Sequence, residues 1–159
     1  MNKTSHKEKK TFLDLFFPKM ENYAVVVIDD DEYFNKLLVQ ALQDFSDNMR
    51  ILYQANIKVH SYPSAKRFLD AFKNHKFDRL RCIFFIDYFL ERNMDATDLL
   101  RVVNKHPNHH SVIVSEQKNY QTSEETILLG AEEFIRKNQF TSFMSTTVLE
   151  QFIREDVTQ

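Results

Sequence analysis

A chain of 159 residues, 43% hydrophobic and 28% charged, has the balance of a single soluble domain that buries about two-thirds of its unfolded surface. A formal net charge of −2 and a pI near 6.3 remove the electrostatic case for nucleic-acid binding. One glycine in the whole chain excludes Gly-rich phosphate loops, and Cys82, alone and set in an apolar run, reads as a buried thiol in a reducing compartment.

Residues 1–10 are basic and polar, and residues 11–17 form an apolar piece interrupted by Asp14 and closed by Pro18. That piece is too short to cross a membrane and has no small-residue cleavage site, so neither a membrane segment nor a signal peptide is expected. Residues 1–21 are read as an extension packing on its own domain, and a cytoplasmic location follows as the expectation. Residues 23–28 are an unbroken apolar strand ending in Asp29, Asp30 and Asp31. Phe34, Leu37, Leu38, Ala41, Leu42 and Phe45 then recur at helical spacing. Residues 46–56 fit either an extension of that helix or an irregular insertion. A second strand is expected over 57–62, and Pro63 and Ser64 open a helix burying Ala65, Phe68, Leu69 and Phe72.

Residues 82–86 are apolar without alternation and run into Asp87, the pattern of a strand covered on both faces. Thr97 is expected to cap a short helix carrying Leu99, Leu100 and Val103, stopped by Pro107. His109 and His110 fall in a predicted polar turn, and none of the six histidines has metal-ligand spacing with the cysteine. A fourth strand covers 111–115. Thr122 and Glu125 have capping-box spacing for a helix reaching Gly130. A fifth strand at 133–136 ends at Lys137, and a last helix from 141 to about 155 should bury Met144, Val148, Leu149, Phe152 and Ile153. Strand and helix alternate five times, which argues a doubly wound five-stranded parallel sheet with helices on both faces in one domain over 22–159.

In a parallel sheet the carboxyl ends of the strands share one edge, so Asp29, Asp30, Asp87, Ser115 and Lys137 are expected to converge. Carboxylates held close together repel one another, and a hard divalent cation such as Mg²⁺ relieves that repulsion. Lys137 adds a compact positive charge and Ser115 a hydroxyl donor, completing a pocket for a phosphoryl group on a carboxylate. Asp31 is read as a helix cap rather than a member of the pocket.

Over about 22–156 the chain resembles the receiver domain of two-component response regulators. The resemblance rests on the apolar run into Asp29, Asp30 and Asp31, on Phe-Phe-Ile-Asp87, on Val-Ile-Val-Ser115, and on Gly130-Ala-Glu-Glu-Phe-Ile-Arg-Lys137. It implies a flavodoxin-like sheet of order 2-1-3-4-5. It implies Asp87 as phosphoacceptor, Asp29, Asp30, Asp87 and the Phe89 backbone carbonyl as Mg²⁺ ligands, and Ser115 and Lys137 as phosphoryl-binding groups. Phe134 matches the aromatic switch position beside Ser115, although it lacks the hydroxyl of a tyrosine. The implied partners are a sensor histidine kinase or histidine phosphotransfer protein and an unidentified downstream protein, with no nucleic acid and no membrane.

An output domain after the last helix is not expected, so the reading is a stand-alone receiver, with Mg²⁺-dependent autophosphorylation and autodephosphorylation as its only expected chemistry. The alternative is a degenerate receiver acting as a phosphorylation-independent interaction module. A phosphohydrolase of the haloacid-dehalogenase type is disfavoured because Phe89 stands where a second acid is required. Departures from the receiver pattern lie beside the site. The loop 91–97 has no proline and is one residue longer, Ala96 replaces a glycine, Glu116 replaces a small residue, and Asn138 replaces a proline.

Overall fold

The computed structural model describes residues 19–91, 93–116 and 119–158. Strands β1 (Glu21–Ile28), β2 (Ala55–Tyr62), β3 (Arg81–Asp87), β4 (His109–Ser115) and β5 (Glu133–Arg136) alternate with helices α1 (Glu32–Tyr53), α2 (Ala65–Lys73), α3 (Ala96–Val103), α4 (Tyr120–Leu128) and α5 (Thr141–Thr158). The strands form one sheet of order β2-β1-β3-β4-β5, every pair parallel. This is the doubly wound, flavodoxin-like architecture expected from the alternation.

The two-residue period of a strand explains why the central strands carry no polar alternation. Ala24, Val26, Ile28, Cys82, Phe84 and Ile86 face a core closed by Phe68 of α2 and Ala96, Leu99, Leu100 and Val103 of α3. Tyr23, Val25, Val27, Ile83 and Phe85 face the other, closed by Leu38, Leu42 and Met49 of α1 and Val148, Leu149, Phe152 and Ile153 of α5. Cys82 is fully buried, and burial pushes its thiol pKa up to about 12. Among the described residues, no helix is long and apolar enough to cross a membrane. The expectation that residues 11–17 pack on the domain falls on residues outside those described.

Several local expectations are corrected. The ambiguous stretch after residue 46 continues α1 to Tyr53, because Gln54 takes a left-handed cap whose N–H bonds the carbonyls of Met49 and Arg50. Leu37, expected on the buried stripe, is 45% exposed, and the buried amide of Asn35 lies inward instead. Helix α3 is capped by Asp95 rather than Thr97. The Asp95 carboxylate accepts the Thr97 N–H at 2.8 Å, and Asp98 returns the bond to complete a capping box. Helix α4 starts earlier than Thr122 because the Asn119 side chain accepts the Thr122 N–H at 2.7 Å. In α5 the buried row is Thr141, Ser145, Val148, Leu149, Phe152 and Ile153, so Met144 stands one position off it and is 44% exposed. His109 and His110 open β4 instead of forming a turn.

Candidate functional site

The carboxyl ends of β1, β3, β4 and β5 meet at one edge. Asp29 leaves β1 buried at 2% exposure, its amide bonded to the Tyr62 carbonyl at 3.2 Å and its Oδ1 accepting the Asp31 N–H at 2.9 Å. Asp30, next along the chain, is exposed. Asp31 is the N-cap of α1, its carboxylate accepting the Phe34 N–H, as its position before the apolar stripe predicts. Asp87 ends β3 at 7% exposure, and Ser115 ends β4 fully buried. Asp29, Asp30 and Asp87 each offer a carboxylate oxygen within 4.8 Å of the others.

Lys137 follows β5, and the bond from its N–H to the Ser115 carbonyl at 2.8 Å ties the two strand ends together. Its Nζ lies 2.7 Å from Asp29 Oδ2 and 3.2 Å from Asp87 Oδ1, with the Phe34 ring centroid 4.6 Å away. The aromatic face adds a cation–π contact to the two ion pairs. Asp30, Asp31, Asp87, Phe89, Glu116 and Lys137 line an open cavity of about 230 Å³ above the strand ends.

The electrostatics follow from this packing. Burial is the largest influence on Asp87, reinforced by the charge of Asp29 and opposed by Lys137, and its pKa rises to about 7. Burial also raises Asp29, against its bond to Lys137. For Lys137, burial disfavours the charge, but Asp29 and Asp87 outweigh it and leave the ammonium above its ordinary value. The buried Ser115 Oγ has no hydrogen-bond partner among the described residues, an arrangement that disfavours the folded state unless something else binds it.

Of the five residues expected at the strand ends, Asp29, Asp30, Asp87 and Lys137 come together through their side chains, while Ser115 ends the neighbouring strand, is tied to Lys137 through its backbone carbonyl, and does not line the cavity. Phe89 reaches the cavity wall and is bridged to Asp95 across the loop after β3. Phe134 lies on β5, half-buried against the α3-side core and beside a groove shared with Phe140, Phe143 and Met144. Glu116, which replaces the small residue of the receiver pattern, stands in the cavity wall. Among the described residues no peptide bond is cis, in keeping with Asn138 after Lys137. Two polar groups, Asn35 buried and His110 partly buried, carry little signal in the sequence. Asn35 looked like an ordinary helix residue, and only its short polar side chain amid a buried stripe could have marked it. His110 is paired with Glu132 and Asp156 at the far end of the sheet, which no local motif announces.

No family model and no curated protein matches the chain. Solved structures do match. The receiver domain of a Clostridium thermocellum response regulator superposes with a TM-score of 0.67 at 16% identity, covering 86% of this chain and 99% of that one. The receiver domain of NtrX from Brucella abortus gives 0.64 at 23% identity, covering 82% and 98%. The BeF3-activated receiver domain of DrrB gives 0.61 at 16% identity, covering 86% and 99%. This chain has the response-regulator receiver fold. At these identities the likeness is one of fold.

Proposed function

We propose that residues 22–159 form a receiver that accepts a phosphoryl group on Asp87 from a phosphohistidine donor and signals through a changed partner-binding surface. The observation that carries this reading is Lys137 Nζ held between Asp29 and Asp87 in a pocket of three close carboxylates. Asp29, Asp30 and Asp87 form an all-oxygen, hard donor set opening on a cavity, which fits Mg²⁺ better than a softer transition metal. Those three carboxylates, with the Phe89 carbonyl, are the groups that would hold it. When bound, the cation supplies charge neutralisation for the transferring oxygens.

The chain's own groups do the rest. An oxygen of ionised Asp87 attacks phosphorus in line, the P–N bond of the donor breaks, and its electron pair leaves with the imidazole. The Lys137 ammonium, already 3.2 Å from Asp87, pairs with the phosphoryl oxygens that arrive there. The Ser115 hydroxyl, without a partner among the described residues, would gain an acceptor in such an oxygen, which favours the phosphorylated state. Phe134, on the strand next to Ser115, is the group through which that movement would reach the surface. The donor would be a sensor histidine kinase or phosphotransfer protein.

The test is intact-protein mass spectrometry after incubation with acetyl phosphate and Mg²⁺. The wild type should gain one phosphoryl group, and Asp87→Asn none. Equal labelling of both proteins refutes Asp87 as acceptor. No labelling of the wild type, with no Mg²⁺ binding, favours a phosphorylation-independent interaction module.

A further inference from the structure

Asn35, one turn into α1, is 3% exposed and uses both ends of its amide. Its Nδ2 donates to the Asp29 carbonyl at 2.9 Å and lies 3.4 Å from the Tyr62 carbonyl, while its Oδ1 accepts the Ser61 hydroxyl at 2.6 Å. The Asp29 N–H bonds the same Tyr62 carbonyl. One side chain thus ties the end of β1, the end of β2 and the first turn of α1. The bond that matters most is the one to Asp29, because that carbonyl belongs to the peptide joining Asp29 to Asp30. The peptide is planar, so fixing its oxygen also fixes the N–H of Asp30 and the direction in which the chain leaves. Asp29 turns inward to Lys137 and Asp30 outward to the cavity, and the divergence of the two carboxylates depends on the tilt of that plane.

We propose that Asn35 is a positioning residue that aims the acid pair Asp29 and Asp30 into the pocket, and that Ser61 holds Asn35 for this task. The inference rests on the function proposed above. Neither side chain reaches the cavity, so the action is indirect, like that of outer-sphere groups that orient metal ligands. The fold holds a matched control at the opposite end of the sheet. There the Ser111 hydroxyl donates to Asn104 Oδ1 at 2.6 Å and Asn104 Nδ2 donates to the Leu129 carbonyl at 2.8 Å, the same chemistry remote from the acids.

The experiment compares wild type, Asn35→Leu, Ser61→Ala and Asn104→Leu by calorimetric titration with Mg²⁺ and by amide NMR of the metal-free proteins. Asn35→Leu should weaken Mg²⁺ binding about tenfold or more and displace the Asp30 amide resonance. Ser61→Ala should do the same to a smaller degree, and Asn104→Leu should lose thermal stability while binding Mg²⁺ within about twofold of wild type. Mg²⁺ affinity in Asn35→Leu within twofold of wild type, with the Asp30 resonance in place, overturns the positioning role and leaves the proposed function standing. If Asn35→Leu does not fold, unchanged affinity and an unmoved Asp30 resonance in Ser61→Ala overturn it instead. A wild type that neither binds Mg²⁺ nor takes a phosphoryl group removes both.

Discussion

Replacing His110 with Gln should flatten the dependence of stability on pH. The His110 ring stacks on Phe152 at 4.3 Å between centroids; Nδ1 lies 2.9 Å from Glu132 and Nε2 3.3 Å from Asp156. Burial of the ring disfavours its charge, but the two carboxylates outweigh burial and carry the pKa from 6.5 to about 9. The folded protein therefore binds this proton more tightly than the unfolded chain. The resulting stabilisation is complete below pH 6.5 and disappears as pH rises through 9. About 2.5 pH units at about 1.4 kcal/mol each set a ceiling of about 3.5 kcal/mol, reduced by the ring's 17% exposure. For a domain of this size that corresponds to roughly 5–10 °C in Tm. Arg81 remains 3.1 Å from Asp156, so His110→Gln does not strand that carboxylate. Thermal melts followed by circular dichroism from pH 6 to 9.5 should show a falling wild-type Tm and a flatter line for His110→Gln. Parallel lines refute the reasoning.

Three further outcomes can be checked directly. Lys137→Ala removes the cation competing for Asp29 and Asp87, so Mg²⁺ should bind at least as tightly while acyl-phosphate formation is lost; labelling at the wild-type rate would take Lys137 out of the mechanism. Cys82, fully buried with its pKa pushed up to about 12, should resist a thiol reagent at pH 8 until the chain unfolds, and rapid labelling of the native protein contradicts the packing. Phe84 is fully buried among Phe68, Phe72, Phe77 and His109, with centroids at 5.7, 6.3, 6.5 and 5.2 Å. Phe84→Ala should cost about 3–5 kcal/mol by denaturant unfolding, and a loss under about 1 kcal/mol would mean the cluster collapses around the vacancy.

What could be read in advance was whatever a strand displays along its own length. Residues 23–28 and 82–86 announce two-sided burial, and a parallel sheet obliges Asp29, Asp30, Asp87, Ser115 and Lys137 onto one edge. Helix starts were less legible because several residues can cap. Asp95 and Thr97 compete for α3, and Asn119 and Thr122 for α4, and only the backbone decides which oxygen meets a free N–H. In α5, helical phase outweighs hydrophobicity at Met144, which stays 44% exposed. The row that includes Thr141 and Ser145 is the one turned toward the sheet. Asn35 and His110 were not legible because their side-chain partners are distant in sequence, Ser61 26 residues from Asn35, and Glu132 and Asp156 22 and 46 residues from His110.

Lys137 also bears on how the domain comes to be stable. Two buried acids at the carboxyl ends of the central strands would ordinarily make folding wait for a metal, as in small domains that are unstructured without one. Here the counter-ion is covalently part of the chain, 2.7 Å from one acid and 3.2 Å from the other, and it is delivered when β5 joins the sheet. Assembly of the fold and loading of the site are thereby separate events. The chelator-treated protein should therefore still unfold in one cooperative thermal transition.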